Sequence, residues 1–278
     1  MANQSHLDQL QQGIDHWNQW RQDNPAETFD FSGADLSQLP LKGANLQGGN
    51  FGRAKLIGVT LTGADLQNAS LIGADLSGAD LIDANLKAAN LAGANLLGAD
   101  LGNSILIGAN LSKTTLNRAN LGNADLTQAD LTAASIIGAD LSRAILHQAT
   151  LVDADLKRAE MQRTKASQAN MSRTNFADAR LMSADLTGAT LDEANLSGAR
   201  LNRAKLNQGH LGQANLSNAT LLGANLSGAD LSGADLTDAN LSGADLTDAN
   251  LTDVVLSNTN LEGAALNQAL LPDGAQQA

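Results

Sequence analysis

Five arginines are the side chains of this chain whose type and spacing most favour binding chemistry. They form two regularly spaced series, namely Arg180 and Arg200, and Arg143, Arg163 and Arg203. A guanidinium group offers a planar fork of N–H donors that fits a carboxylate or a phosphate. A fold that brought the five onto one surface would allow them to hold an acidic protein segment, a phosphate or a nucleic acid. A solvated surface without a ligand is the alternative.

The other reactive residue types form no catalytic or metal-binding pattern. The chain has no Cys and only four His. No Ser lies in a nucleophile elbow, and no glycine-rich segment leads from a strand into a helix as a phosphate-binding loop does. Neighbouring acids such as Asp230 and Asp235 do not match the nonapeptide calcium motif. We therefore predict no catalytic residue, no cofactor, no metal site and no enzymatic activity.

A repeat of five residues, unbroken from Phe31 to Leu271, is what would position the arginines. An apolar residue occupies each of 49 consecutive central positions, and 42 of these are Leu. Two residues before the centre is an inner position, which is Ala in 38 of 48 cases. Directly before the centre is an outward position, which is usually Asp or Asn. A period of five fits neither an amphipathic helix nor a half-buried strand.

Each five-residue repeat predicts one short extended side followed by a corner. Residues two apart in an extended segment point the same way, so Ala and Leu both point inward. Turn-forming residues fill the rest of the repeat, as at Ser77 and Gly78. Four corners close a coil of four repeats, and coils stacked about 4.8 Å apart bury the Leu in one axial column. The 49 repeats predict about 12 coils over about 58 Å.

This repeat resembles that of the bacterial pentapeptide-repeat proteins, and its glycine and leucine content is similar to that of cyanobacterial members. The resemblance implies an all-β fold, a right-handed quadrilateral β-helix. We predict a helical cap at residues 1–28, the β-helix at 29–271 and a tail at 272–278. The resemblance also implies a candidate activity for this chain: family members that confer quinolone resistance bind DNA gyrase by imitating the width and charge of B-DNA.

The N-terminal segment from Ser5 to Asp23 has a helical period instead. Ser5 with Asp8 matches a capping box, and Pro25 follows the expected end of the helix. An open first coil would expose Leu side chains and unpaired backbone groups, so we predict that this single helix covers it. Binding of a partner by the helix is the alternative. The predicted cap residues are Leu7, Leu10, Ile14, Trp17 and Trp20.

The C-terminal end has no comparable helix, and we predict that it forms a homodimer contact. Apolar residues occupy three of the four outward positions in the last coil, and Pro272 ends the repeat. Twofold pairing of two uncovered coils would bury both strand edges in a closed contact. A tail that folds back over the last coil is the alternative. The predicted contact residues are Val255, Leu266, Leu270 and Leu271.

Charge is distributed unevenly along the repeat. The net charge of −12 divides into −7 for residues 1–140, +3 for 141–205 and −8 for 206–278. Residues four repeats apart stack in successive coils, and opposite charges there contribute about 0.2–1 kcal/mol each. The columns that predict such pairs are Asp153–Arg173–Glu193, Arg158–Asp178, Glu160–Arg180 and Lys165–Asp185–Lys205.

The five arginines share one side of these coils with only two acids, Asp140 and Glu160. The same coils have the least regular core, because Ala166 replaces a central Leu. Met and Phe at neighbouring centres are expected to fill the gap, and a local bend is the alternative. The other exceptions to the core pattern in these coils are Met161, Met171, Phe176, Thr164 and Thr174.

The sequence favours a non-catalytic scaffold or regulatory protein that binds a protein partner through a side or an end of the β-helix. The alternative is an inhibitor of DNA gyrase, a topoisomerase, that imitates DNA. A duplex of about 58 Å would carry about 34 charges, against −12 here, and the positive segment interrupts the acidic surface. Direct nucleic-acid binding is not expected, because the arginine side lacks aromatic residues for base stacking. Without a signal segment or an apolar run long enough to span a membrane, we expect a cytoplasmic protein with no membrane partner.

Overall fold

The computed structural model describes residues 2–272, which fall into two compact units divided between Ser135 and Ile136. The first unit begins with two helices, α1 (Gln4–Gln11) and α2 (Ile14–Asp23). From Asp30 onward, both units consist of the five-residue repeat. No helix within residues 2–272 is long and apolar enough to cross a membrane.

The β-structure of both units consists of single-residue parallel bridges between outward positions four repeats apart. In the first unit they run from Asp30–Asn50 to Thr115–Ser135. In the second unit they run from Asp140–Glu160 to Asn250–Leu270. One coil therefore takes four repeats and has four sides, each with one outward residue that pairs with the coils before and after it.

Backbone hydrogen bonds hold each side to both neighbouring coils, as the repeat around Leu76 illustrates. The N–H of Asp75 donates to the carbonyl of Ala54 at 3.0 Å, and the N–H of Leu76 donates to that of Asn95 at 2.7 Å. The corner closes with a bond from Ala79 N–H to the Leu76 carbonyl at 3.0 Å. Gly78, at the third turn residue, has a φ of 64°. A positive φ at that residue alone is the pattern of a type II turn.

The core of each unit is a column of central Leu residues lined by inner Ala residues. Away from the ends of the repeat, both sets are almost completely buried. Where Ala166 replaces Leu, the bridges keep the same spacing of four repeats on either side, and Phe176 nearby is fully buried. Thr164 and Thr174, at inner positions, donate their hydroxyls to backbone carbonyls at 2.8 and 2.7 Å. The least regular core segment therefore keeps the strand register of its unit.

The N-terminal cap differs from the prediction of one helix with a capping box at Ser5 and Asp8. Gly13, with a φ of 106°, separates α1 from α2. Asn3 is the N-cap residue of α1, and its side chain accepts a hydrogen bond from the Ser5 N–H at 3.0 Å. The single-helix prediction was wrong because the helical period continues across a glycine that leaves the helical conformation.

The two helices cover the first coil by forming hydrogen bonds with its open edge. The side chain of Asn18 accepts from the Asn45 N–H at 2.8 Å and donates to the Gly43 carbonyl at 3.0 Å. The Trp17 indole N–H donates to the Asn45 carbonyl at 2.8 Å. At a third outward position, Pro40 has no N–H that would need a partner. The cap therefore substitutes the Asn18 side-chain amide and the Trp17 indole for a preceding coil.

Of the predicted cap residues, Leu10 and Trp17 are buried, whereas Leu7, Ile14 and Trp20 are half-buried. The sequence prediction missed two further buried cap residues. His6 Nδ1 accepts from the Asp30 N–H at 3.2 Å. Arg21 donates to the Glu27 carbonyl at 2.7 Å, and its guanidinium carbon lies 4.8 Å from the centre of the Phe29 ring. These contacts fix the cap by polar interactions as well as by apolar burial.

An exchange of large and small side chains completes the first coil. Phe29 occupies the first inner position and is almost completely buried. Gly49 occupies the inner position one coil later, and a Cβ atom there would lie 2.3 Å from the Phe29 ring. The missing methyl group at Gly49 therefore makes the space that the Phe29 ring fills.

Candidate partner-binding surface

The second unit brings the five predicted arginines onto one side of its coils, which we call the arginine face. The central residues of this side, Leu141, Met161, Leu181 and Leu201, are fully buried. All five arginines are exposed. Arg180 and Arg200 occupy outward bridge positions. Arg143, Arg163 and Arg203 occupy corner positions, with φ angles of 58° to 61°.

One pair on the arginine face brings like charges together. Arg180 and Arg200 form a parallel bridge, so their side chains lie in register one coil apart. Arg180 also forms an ion pair with Glu160 of the preceding coil, with 3.2 Å between Nη1 and Oε1. Within residues 2–272, the other four arginines of the face have no ion-pair partner. The face therefore retains most of its positive charge.

Basic residues elsewhere in the same coils are largely neutralised by ion pairs. Arg173 binds Asp153 with 2.7 Å between Nε and Oδ1, as the column pattern predicted. The predicted pairs Arg158–Asp178 and Lys205–Asp185 close at 3.7 and 3.5 Å. Three of the five basic residues outside the face thus have a carboxylate partner, compared with one of the five on it.

The outward position usually performs a structural task that sequence reasoning missed. Its Asp or Asn side chain accepts a hydrogen bond from the backbone N–H two residues later, as Asp140 does from Ser142 at 2.8 Å. Such a bond favours the ionised carboxylate, and the hydrogen bond from the Ser232 N–H is the largest cause that lowers the pKa of Asp230. Arginine has no acceptor atom, so Arg180 and Arg200 cannot make this bond.

Polar side chains lie between the outward and corner columns of the arginine face. Ser142, Gln162 and Asn202 lie there together with Met182, and all four are half-buried. The Ser142 hydroxyl donates to Gln162 Oε1 at 2.9 Å, so the strip is internally bonded. The face consists of exposed cations around a mostly polar centre, with no aromatic ring.

The last coil is less buried than the coils before it. Its four central residues, which include Leu266 and Leu271 of the predicted contact, are half-buried, whereas earlier centres are almost completely buried. At outward positions, Val255 is 45% exposed and Leu270 is 59% exposed. The part of the predicted tail that follows Pro272 lies outside the described residues. The homodimer contact stays a prediction.

The repeat contains two histidines, His147 and His210, which lie at ordinary positions of the coils. His147 Nδ1 lies 2.9 Å from the Ser167 hydroxyl, and His210 occupies an outward bridge position. Across residues 2–272, no group of three or more His, Cys, Asp or Glu side chains has the arrangement of a metal site.

Comparison with known proteins identifies the repeat. The family described as pentapeptide repeats matches eight stretches of the chain: 50–87, 60–98, 84–123, 94–132, 124–163, 159–198, 199–238 and 234–271. No curated protein matches the chain.

Several solved structures are similar to parts of the chain. HetL, a pentapeptide repeat protein involved in heterocyst differentiation regulation from the cyanobacterium Nostoc sp. strain PCC 7120, is 38% identical over 79% of this chain and 92% of its own, with a TM-score of 0.27. A pentapeptide repeat protein from the thylakoid lumen of Arabidopsis thaliana is 29% identical over 49% of this chain and 68% of its own, with a TM-score of 0.25. QnrB1, a plasmid-mediated fluoroquinolone resistance protein, is 23% identical over 65% of this chain and 89% of its own, with a TM-score of 0.49.

The eight matches together run from residue 50 to residue 271, and the identity with HetL extends over most of both chains. Pentapeptide-repeat proteins form right-handed β-helices, which agrees with the four-sided coils of both units. The chain belongs to the pentapeptide-repeat family.

Proposed function

We propose that this protein is a non-catalytic regulatory or scaffold protein that binds a protein partner through the arginine face. The single observation that supports the proposal is the charge arrangement there. Four exposed arginines have no ion-pair partner within residues 2–272, and two arginines lie in register one coil apart. The role of HetL in the regulation of differentiation is consistent with a regulatory function.

The stability of the fold does not account for this arrangement. Like charges directly opposite each other in a sheet are destabilising. Arg180 and Arg200 also occupy positions where Asp or Asn would make a hydrogen bond to the turn. Departures from local structural rules are expected at functional sites. A partner that neutralises the cations would explain why arginine occupies these positions.

A matched pair of variants tests the proposal. One variant changes the five arginines of the face to Gln. The control changes the five other basic residues of the same segment to Gln, which removes the same charge from the same coils. The control residues are Lys157, Arg158, Lys165, Arg173 and Lys205.

Immobilised wild-type protein and both variants are used for capture from a lysate of the native organism. We expect one or more proteins to be retained by the wild type and by the control, and to be lost from the face variant. Capture should weaken as salt rises, because exposed charges are screened. Equal capture by the face variant would place the binding surface elsewhere and refute the proposal.

Inhibition of DNA gyrase is the alternative function, and a different segment supports it. Residues 206–278 hold eight acidic residues and no Lys or Arg, so they present the kind of negative charge that a DNA-like surface requires. A supercoiling assay with purified gyrase separates the two functions. Inhibition by the wild type and by the face variant alike would favour the DNA-like role, whereas supercoiling that continues unchanged would argue against it.

A further inference from the structure

The dimensions of the arginine face limit what can bind there. The face extends over three coil steps, from the coil of Leu141 to that of Leu201, or about 14 Å along the stacking direction. Its outward and corner columns are three residues apart in the sequence, so the face is at most about 10 Å wide. An extended polypeptide advances about 3.3 Å per residue, so four or five residues match this length.

Carboxylates border the face on both edges. Asp178 lies at the corner before Arg180, and Asp185 lies at the outward position of the next side. Asp178 is paired with Arg158, and Asp185 is paired with Lys205. Apart from Lys165 in the column of Asp185, these pairs leave the two edges close to neutral. A nucleic-acid duplex is wider than the face and would gain little attraction from these largely neutralised edges, whereas a single extended chain fits between them.

The strip between the two columns suits a polypeptide. Ser142 and Gln162 are hydrogen-bonded to each other, and Asn202 Oδ1 accepts from the Leu222 N–H at 3.1 Å. The Asn202 side-chain N–H groups can donate to a bound backbone, and Met182 offers an adaptable apolar contact. The guanidinium groups on either side form forks that bind carboxylates in a bidentate manner. With no aromatic ring on the strip, base stacking has no platform.

We propose that the arginine face binds a short extended segment of a partner protein, about five residues long and rich in Asp or Glu, that lies along the stacking direction of the coils. This inference rests on the proposed function and specifies the chemistry of the partner. The carboxylates of the segment pair with Arg143, Arg163, Arg200 and Arg203. Arg180 contributes less, because Glu160 already binds it.

Fluorescence anisotropy with labelled peptides tests the proposal on the full chain. The probes are a pentaglutamate peptide, a pentaglutamine peptide of the same length and a short DNA duplex. The test variant is R143Q/R163Q/R200Q/R203Q, and the control is K157Q/R158Q/K165Q/R173Q, which removes the same charge. Thermal melting of each variant verifies that it is folded.

We expect pentaglutamate, but not pentaglutamine, to bind the wild type and the control with similar affinity. The test variant should bind at least about tenfold more weakly, since charge-assisted hydrogen bonds contribute most of the affinity. Binding of pentaglutamate should also fall as salt rises.

Three results would overturn the inference: no binding of pentaglutamate, equal binding by the test variant, or preferential binding of the duplex. The proposed function is tested separately, by capture of a partner from the lysate. If the lysate partner is lost from the face variant but pentaglutamate does not bind, the surface is correct and the chemistry of the segment is wrong.

Discussion

Replacing Arg200 by Glu should stabilise the protein, although the change lies in a proposed binding surface. The bridge between Arg180 and Arg200 stacks two like charges in successive coils, and the coil spacing of about 4.8 Å sets the scale of their separation. In water this repulsion amounts to about 0.9 kcal/mol, and salt at about 0.15 M reduces it to about 0.5 kcal/mol. Attraction between Arg200 and Glu160, two coils away, offsets about 0.1 kcal/mol of this by the same arithmetic.

Two variants separate removal of the repulsion from the addition of an attraction. Arg200→Gln removes the repulsion alone and should stabilise by about 0.3 kcal/mol. Arg200→Glu adds an attraction to Arg180 and should stabilise by about 0.7 kcal/mol. The charge-matched comparison is Arg173→Glu, which turns the close ion pair with Asp153 into a repulsion and should destabilise.

The assay is urea unfolding followed by circular dichroism at low and at high salt. Midpoints are compared directly, because long repeat arrays can depart from two-state unfolding. At low salt the midpoints should rise from wild type to Arg200→Gln to Arg200→Glu. The differences should nearly vanish at about 1 M salt, where the Debye length falls to about 3 Å. A lower midpoint for Arg200→Glu, or a gain that high salt leaves unchanged, would refute the electrostatic account of the face.

Four further outcomes test other features. Asn18→Ala should destabilise the cap by about 1–2 kcal/mol, because two hydrogen bonds to the first coil are lost. Asn18→Asp keeps an acceptor and should destabilise it less. Equal losses of stability in the two variants would contradict this account. Gly49→Ala should destabilise by about 1–3 kcal/mol through overpacking against Phe29, and an unchanged melting curve would exclude that packing. Hydrogen bonds lower the pKa of outward aspartates such as Asp230, so these bonds stabilise the fold at pH values above the pKa of an unfolded Asp, about 3.9. This stabilisation is lost as the pH falls through the lower pKa of the folded state. A melting temperature that stays constant down to pH 2 would count against that role. In sedimentation at micromolar concentration the wild type should be a dimer and Leu270→Asp a monomer; identical behaviour of the two would remove the C-terminal contact.

The sequence predicted the repeat well because each part of it is determined locally. Each central Leu fixes which neighbours point inward, and a spacing of four repeats then decides which charges meet. The pairs Arg173–Asp153 and Arg158–Asp178 follow from that spacing alone. The same spacing placed the five arginines on one side without any knowledge of side-chain conformation.

The cap could not be predicted in the same way, because no period links it to the rest of the chain. Nothing around Asn18 in the sequence shows that its amide pairs with Asn45, 27 residues later. Arg21 resembles an exposed helical residue, yet it is buried against Phe29 and the loop before the first coil. Such contacts depend on how the helices dock, which local pattern does not encode.

Pro40 restricts how an array of this kind can lengthen. A proline at an outward position is tolerated only where no earlier coil needs its N–H. Pro40 lies on the open edge of the first coil and bridges Thr60 of the next coil. A duplicated coil of four repeats inserted within either unit would find donors and acceptors on both of its edges. The same insertion between α2 and Asp30 would face a missing donor at Pro40 and separate Asn18 from Asn45. The repeat can therefore lengthen by duplication of a whole coil in its interior, but not at its N-terminal boundary.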